Sequence, residues 1–448
     1  MPSRSFHLST KSKILPFNKT IEVDADKSIS IRSFLIGAIC QNISYAKNIL
    51  ESDDIMSTIQ CLKKLGVKIE KKSPKCYKIY GKGLGSFYLK KNTKLNFGNS
   101  GTLARLLTGI LSTTPNISVK ISGDHSLNHR SMKKLVELMS KFGASFFPKN
   151  KFCLPLKMVS SEMPIGINYE AGVSAQLKSS VILAGLNSYG NTEIIEKEKS
   201  RDHTENMLRI NNQAIKIKKN RKLIKIYGKN YLNSFKIDVP GDPSSAAFFT
   251  TLTLLNKRSA IKIKDVGLNP TRIGFYNLLK KHGAKIKFTN LKYNNNEPRG
   301  NIIVKSGKLK PIKATKEYYV NSTDEYPLLF VIAALTKGKS IFKGISDLAN
   351  KESNRIVEMQ KVLKQIGIVS RSSKDKLIIF GKDISKVKER KISVPNLGDH
   401  RICMSTFILS VLTGTKAKIK NFETVYTSSP SFLKIIKFLG AKYEITNK

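Results

Sequence analysis

Tryptophan is absent from this chain and aromatic residues make up only 8% of it. These aromatics form no basic–aromatic stacking platform of the kind single-strand nucleic-acid binders use. Cysteine is scarce as well. The five, Cys40, Cys61, Cys76, Cys153 and Cys403, show neither paired nor CxxC spacing, and several fall inside apolar helical patterns. That pattern excludes a disulfide framework and predicts buried, reduced thiols in a cytoplasmic protein. No apolar run approaches the roughly 20 residues that a membrane span needs. The first 25 residues lack the apolar core of a signal peptide. No membrane partner is expected.

Acidic residues are also few, 32 against 79 basic ones, for a formal net charge of +47. Such a balance ordinarily points to nucleic acid. Here lysine is spread over the whole chain, at alternate positions of strand-like segments such as Lys216, Lys218, Lys262 and Lys264. A solvated basic surface explains that distribution, so no specific nucleic-acid partner is expected. At 448 residues and 40% hydrophobic content, the chain can bury two large cores.

What is present, six times over, is a short polar segment opening onto a nearly continuous apolar run. The openings are Lys27-Ser28-Ile29-Ser30-Ile31-Arg32, Gly98-Asn99-Ser100-Gly101-Thr102, Ser174-Ala175-Gln176-Leu177-Lys178, Gly241-Asp242-Pro243-Ser244-Ser245, Ser322-Thr323-Asp324-Glu325-Tyr326-Pro327 and Gly398-Asp399-His400-Arg401. A helix apolar all round is buried, so these predict six core helices with exposed starts. Helix starts offer unpaired N–H groups and the positive end of the macrodipole, which favours anions.

A second recurrence follows the first. Amphipathic helices end in Leu65-Gly66, Phe142-Gly143, His282-Gly283, Ile366-Gly367 and Leu439-Gly440, each followed by a strand-like stretch. Glycine suits the left-handed residue after a helix. A sixth copy is expected around Asn211-Asn212-Gln213. The spacing of about 70 to 85 residues exceeds that of common solenoids. Each repeat is therefore a small α/β unit.

The segment from Gly98 to Arg105 is the strongest local signal, with two glycines for close backbone approach and caps at Asn99, Ser100 and Thr102. Arg105 falls one turn inside its apolar helix and would be costly there unless paired. Lys27, Ser28 and Arg32 converge at another helix mouth, with Ser28 and Arg32 at i,i+4 spacing. A capped helix with an exposed basic face fits them equally well. Asp324 alone reads as an N-cap ahead of Pro327, and Glu352 as a helix-face salt-bridge partner.

Taken in order, Lys27-Ser28-Ile29-Ser30, Gly98-Asn99-Ser100-Gly101-Thr102, Ser174-Ala175-Gln176, Ser200-Arg201-Asp202-His203-Thr204-Glu205, Pro240-Gly241-Asp242-Pro243-Ser244-Ser245-Ala246-Ala247, Lys351-Glu352-Ser353 and Gly398-Asp399-His400-Arg401 resemble the signature segments of the EPSP synthase (3-phosphoshikimate 1-carboxyvinyltransferase) family. The resemblance implies a two-domain inside-out α/β barrel fold, each domain three repeats of a βαβαββ-type unit with buried helices. The domains are expected at 25–240 and at 1–24 joined with 241–448, with the active site in the cleft between them.

The reaction so implied moves the enolpyruvyl group of phosphoenolpyruvate onto the 5-hydroxyl of shikimate 3-phosphate, in the shikimate route to chorismate and the aromatic amino acids. By position in the motifs, Asp324 matches the family's proton acceptor, Glu352 its second acid–base group, and Lys27 a lysine shared by both ligands. Shikimate 3-phosphate is expected on Lys27, Ser28, Arg32, Ser174, Ala175, Gln176, Asp324 and Lys351, with Ser200 as a further candidate. Phosphoenolpyruvate is expected on Lys27, Gly101, Arg130, Gln176, Arg355 and Arg401. Arginine suits such anions because its fork can meet carboxylate or phosphate through two parallel bonds.

Four positions depart from the family's pattern: Ala175 replaces a serine, Thr427 a lysine, Asn354 an aspartate, and Asp347 an asparagine. No metal and no cofactor is expected, the chain is expected to act as a monomer, and Gly101 predicts sensitivity to the family-associated inhibitor glyphosate. The related UDP-N-acetylglucosamine enolpyruvyl transferases typically carry asparagine after the first lysine and a cysteine in the loop before the Arg130 position. This chain has Ser28, and no cysteine from Gly123 to Ser131. A basic nucleic-acid-binding repeat protein is the alternative from another class, and charge is the one feature that favours it. A catalytically dead descendant is opposed by the presence of Lys27, Asp324, Glu352 and Arg401.

Overall fold

A computed structural model describes residues 5–90, 92–218, 222–387 and 391–447; the first four residues, part of the stretch weighed above for a signal peptide, lie outside them. The chain divides into two compact units. One, here the N-terminal domain, holds Ala25–Val239 and the short segment Tyr293–Glu297; the other, the C-terminal domain, holds the chain up to Asp24, Pro240–Lys292 and the chain from Pro298 onward. Each has its own apolar core. The segment 293–297 is the tip of a hairpin whose strands run Lys285–Asn294 and Glu297–Lys305.

Six helices form the centres of these cores: Lys27–Ile39, Gly101–Ser112, Ala175–Leu186, Pro243–Leu255, Tyr326–Ala334 and His400–Thr413. Their sequences are apolar on every side, and burial follows: all residues from Ile29 to Ile39 are buried, as are all from His400 to Leu412. Five carry a side-chain cap. Asp26, Ser100, Ser174, Asp242 and Asp399 accept from the backbone N–H of Ile29, Leu103, Leu177, Ser244 and Arg401. These bonds satisfy N–H groups that the helix itself cannot.

The fifth core helix departs from expectation. Asp324 does not cap it but sits inside a 3-10 turn, Thr323–Glu325, which leads into Tyr326. With the turn and Pro327 setting the entry, the Asp324 carboxyl is left for a tertiary partner.

Each core helix belongs to one repeat. In four repeats the strands before and after the core helix pair in parallel, and in five a second helix then leads to an antiparallel hairpin. In one repeat Lys94–Asn96 pairs with Ser118–Ser122, in register Leu95 to Ile121. Ser118–Ser122 pairs antiparallel with Leu156–Val159, and that strand with Ser145–Phe147. All six sheets follow this four-stranded order. In three of them a strand comes from elsewhere in the chain: Lys236–Asp238 joins Ile43–Lys47, Asn18–Glu22 joins Ala260–Gly267, and Phe6–Thr10 joins Lys416–Ile419. No sheet closes on itself among the described residues, so each domain holds three separate open sheets rather than a hydrogen-bonded barrel.

The strands bury one face, as in Ile43–Lys47, where burial alternates. Lys216, Lys218 and Lys264 lie on exposed faces, which is where the dispersed basic charge resides. Gly66, Gly143, Gly283, Gly367 and Gly440 all take left-handed φ values, from 73° to 97°, as helix ends require. The expected sixth copy differs. Its helix, His203–Leu208, is buried throughout rather than amphipathic, and none of Asn211, Asn212 and Gln213 takes a positive φ. The polar side chains of that helix face partners inside the domain.

Candidate active site

In the N-terminal domain, core-helix starts and their flanking loops carry the expected basic groups. Arg32, 3% exposed, lies one turn inside the first core helix. Its Nε donates to Thr204 Oγ1 at 2.7 Å, one terminal nitrogen donates to Ser179 Oγ at 3.1 Å, and the other to the Ser28 carbonyl at 3.0 Å. Neutral oxygens orient the guanidinium through these bonds. Lys27, the first residue of the same helix, places Nζ 3.2 Å from Asp54 Oδ2.

The second and third core helices meet through Gln176 Nε2, which donates to Thr102 Oγ1 at 3.0 Å. Ser174 caps the third helix and Ala175 is its first residue, so Ala175 can offer a ligand its backbone N–H alone. Arg130 donates to Asn99 Oδ1 at 2.9 Å, and Asn99 in turn donates to Asp124 Oδ2 at 2.7 Å. A Cβ added to Gly101 would lie 2.8 Å from an Arg105 nitrogen and 3.1 Å from one of Arg130. Gly101 thus makes room for two guanidinium groups. Arg105 escapes the burial expected of it: it is half-buried and donates to the Gly101 carbonyl at 3.0 Å.

In the C-terminal domain one side chain gathers the carboxylates. Arg355, 1% exposed, begins the helix Arg355–Gln365. It lies 2.5 Å from Glu352 Oε2, 3.0 Å from Asp399 Oδ2 and 3.7 Å from Asp324 Oδ1. Burial opposes its charge, yet the negative charges of Asp399, Glu352 and Asp324 favour the protonated guanidinium more strongly and push its pKa above the usual arginine range. The two expected acid–base carboxylates are therefore gathered on one cation. Asp399, which the sequence offers only as part of a helix opening, completes the cluster. It accepts from Ser353 Oγ at 2.9 Å and caps the sixth core helix through the Arg401 N–H, also at 2.9 Å. Its place in Gly398-Asp399-His400-Arg401, ahead of an apolar run, was the available signal.

Arg401 is 7% exposed, its guanidinium carbon 5.8 Å from the centre of the Phe248 ring. Lys351 turns to Asp347, Nζ to Oδ2 at 2.6 Å, and the Tyr319 hydroxyl donates to the same oxygen at 2.8 Å. An asparagine there would lack the charge to pair with Lys351. Asn354 caps the Arg355–Gln365 helix by accepting from the Val357 N–H at 3.2 Å, a task asparagine and aspartate perform alike. Thr427 Oγ1 donates to the Thr424 carbonyl at 2.8 Å. Of the expected residues, Lys27, Ser28, Arg32, Gly101, Arg130, Ser174, Ala175 and Gln176 fall in the N-terminal domain, and Asp324, Lys351, Glu352, Arg355 and Arg401 in the C-terminal one. Ser200 is buried in the N-terminal domain, its Oγ donating to Glu196 Oε1 at 2.9 Å.

Among the described residues no group of three or more histidine, cysteine, aspartate or glutamate side chains could hold a metal ion, and no helix is long and apolar enough to cross a membrane. Repeated βαβαββ units with basic core-helix starts, together with carboxylates gathered on a buried arginine, define a class: α/β enzymes that take anionic substrates and move protons. Comparison with known proteins narrows the class. The family model described as EPSP synthase (3-phosphoshikimate 1-carboxyvinyltransferase) matches residues 11–436. The 3-phosphoshikimate 1-carboxyvinyltransferase of Paramagnetospirillum magneticum is 35% identical over 431 residues, 95% of this chain and 96% of its own. That of Bacillus subtilis is 35% identical, covering 96% and 99%. The EPSP synthase structure from Acinetobacter baumannii superimposes with a TM-score of 0.85 at 33% identity, over 99% of this chain and all of that one. The enolpyruvyl transferase NikO from Streptomyces tendae, at 11% identity and a TM-score of 0.77, shares the fold. The chain belongs to the EPSP synthase family and is a transferase.

Proposed function

We propose that this chain transfers the enolpyruvyl group of phosphoenolpyruvate to the 5-hydroxyl of shikimate 3-phosphate, releasing phosphate, as a step in making chorismate and the aromatic amino acids. The observation that carries the reading is the gathering of Asp324 and Glu352 on Arg355. Addition needs a base to take the hydroxyl proton and an acid to protonate the methylene carbon of phosphoenolpyruvate. Elimination then returns a proton from the new methyl group and expels phosphate. Two carboxylates fixed by one cation suit this two-way traffic, Asp324 as acceptor for the hydroxyl and Glu352 as the second acid–base group. Lys27 belongs to the same machinery, as the cation shared by both substrates.

Shikimate 3-phosphate is assigned to Lys27, Ser28, Arg32, Ser174, Ala175, Gln176, Asp324 and Lys351, and phosphoenolpyruvate to Lys27, Gly101, Arg130, Gln176, Arg355 and Arg401. Because these residues are divided between two domains, the proposal requires both to engage the same pair of substrates, with three-repeat domains of the inside-out type closing on them. Charge-assisted bonds from arginines are strong enough to drive such closure, about 1.5–3 kcal/mol each. The room kept at Gly101 beside Arg105 and Arg130 supports sensitivity to glyphosate. Five unpaired cysteines support a reducing, cytoplasmic setting, and a monomer suffices because one chain supplies every residue named.

The test is phosphate release from phosphoenolpyruvate by purified protein, with and without shikimate 3-phosphate, beside Asp324→Ala. Release that needs the shikimate substrate and falls about a hundredfold or more in the variant is expected. Release indifferent to shikimate 3-phosphate would sink the reading.

A further inference from the structure

The core of the N-terminal domain contains charges that the reaction leaves unused. Lys178, in the third core helix, has a fully buried side chain whose Nζ lies 2.7 Å from Glu196 Oε1 and 2.6 Å from Glu205 Oε1. Both glutamate side chains are only 3% exposed. Glu196 also accepts from the Ser200 N–H at 3.1 Å and from its hydroxyl at 2.9 Å. Taking three such groups out of water is costly, and well-packed apolar side chains of similar size often stabilise a fold as well or better. Stability alone is a poor reason for the triad.

Its neighbours along the chain suggest another. Ser179 follows Lys178, and Thr204 precedes Glu205. Those two hydroxyls hold Arg32, Thr204 through Nε at 2.7 Å and Ser179 through a terminal nitrogen at 3.1 Å. They also bond each other, Thr204 Oγ1 donating to Ser179 Oγ at 2.8 Å. The ammonium of Lys178 therefore ties the third core helix to the 196–205 segment at the point where both grip one guanidinium. Neither segment alone supplies that grip. A long, flexible arginine loses its directional fork when its supports shift, and placement errors of about 1 Å are expensive.

We propose that Lys178, Glu196 and Glu205 form a positioning triad for Arg32, holding Ser179 and Thr204 so that the guanidinium presents a fixed fork to an anionic substrate group. This rests on the reading of Arg32 as a shikimate 3-phosphate ligand. The triad touches no substrate and acts through the two hydroxyls.

The test measures the Kd for shikimate 3-phosphate by calorimetry, with Tm, KM and kcat, on the full chain and on Lys178→Met, Glu196→Gln, Thr204→Val, Thr204→Ser and Arg32→Gln. Lys178→Met and Thr204→Val are each expected to raise Kd and KM about tenfold, with kcat within about threefold. Thr204→Ser, which keeps the hydroxyl, should restore binding. Combining Lys178→Met with Thr204→Val should cost less than the product of the two, because they break one chain of contacts. If Lys178→Met does not fold, Glu196→Gln takes its place, with a rise in Kd of about threefold or more expected. A lowered Tm with parental Kd in the triad variants, while Arg32→Gln loses affinity, would overturn the proposal and leave the function intact. Parental affinity in Arg32→Gln would instead remove the ligand assignment on which the proposal stands.

Discussion

Arg32 in one domain and Arg355 in the other are both almost fully buried, and their surroundings treat them in opposite ways. Hydroxyls and a carbonyl orient Arg32. Carboxylates surround Arg355 and raise its pKa against the cost of burial. The first arrangement aims a positive charge through neutral groups. The second spends the charge on holding Asp324, Glu352 and Asp399 together, which makes Arg355 first a scaffold for acids and bases. In the proposed reaction the same residue type thus serves ligand capture in one domain and proton chemistry in the other, and the difference lies in the partners.

The largest break in this comparison should come at Arg355. Arg355→Met leaves three carboxylates around an apolar side chain, which should cost about 3–5 kcal/mol of stability and lower phosphate release by roughly a hundredfold or more. Thermal melts and initial rates check it; a parental Tm would show that the carboxylates do not depend on this cation.

Arg32→Met should cost about ten- to a hundredfold in shikimate 3-phosphate affinity with a much smaller change in Tm. If its Tm falls as far as that of Arg355→Met, the two arginines are both scaffolds and the contrast fails.

Gly101→Ala should raise KM for phosphoenolpyruvate about tenfold, because the new methyl displaces the ends of Arg105 and Arg130. The affinity for shikimate 3-phosphate should change less, as titration of each ligand would reveal.

Thiol labelling separates the domains more gently. Burial pushes Cys40, Cys61 and Cys403 up to about 12, so near pH 8 a thiol reagent should reach only the half-buried Cys76 and Cys153, both in the N-terminal domain. Mass spectrometry of native and denatured protein tests this; rapid native labelling of Cys403 would contradict it.

The smallest effects concern pH. Burial raises the Glu205 carboxyl above its ordinary value of 4.5 despite Lys178. Its contribution to stability is complete below that value and declines as pH rises through the folded-state pKa. Asp265 runs the other way. Burial raises its pKa, but Arg299, whose Nε is 2.7 Å from Oδ1, outweighs this and lowers it below 3.8. The stability it adds is present above 3.8 and is lost as pH falls through the lowered value. Tm measured against pH should flatten on the alkaline side in Glu205→Gln and on the acid side in Asp265→Asn. Swapped slopes would refute the assignment.

Much of the fold was legible because its signals are local. All-round apolar runs predicted the core helices, and Ser100, Ser174, Asp242 and Asp399 took the capping positions their residue types suit. The misreadings came where a polar residue had a distant partner. Asp324 reads as a cap but faces Arg355. The helix His203–Leu208 reads as amphipathic yet turns Thr204 inward to Arg32. Asp399 hid a second role behind its cap, binding Arg355 as well. The signature segments named the candidate residues in order, but not which of them would be gathered.

The sequence by itself determined the six buried helices, the glycine at the end of five outer helices, the repeat and the family, because each follows from residues close together in the chain or from motifs in a fixed order. Only the tertiary structure decided that Arg355 collects three carboxylates, that Arg32 rests on Ser179 and Thr204, and that Lys178 joins Glu196 to Glu205 in the core. Those partners lie up to 172 positions apart. Nothing in local periodicity specifies which buried charge will meet which; that is settled when helices and strands pack and every desolvated polar group must find a partner.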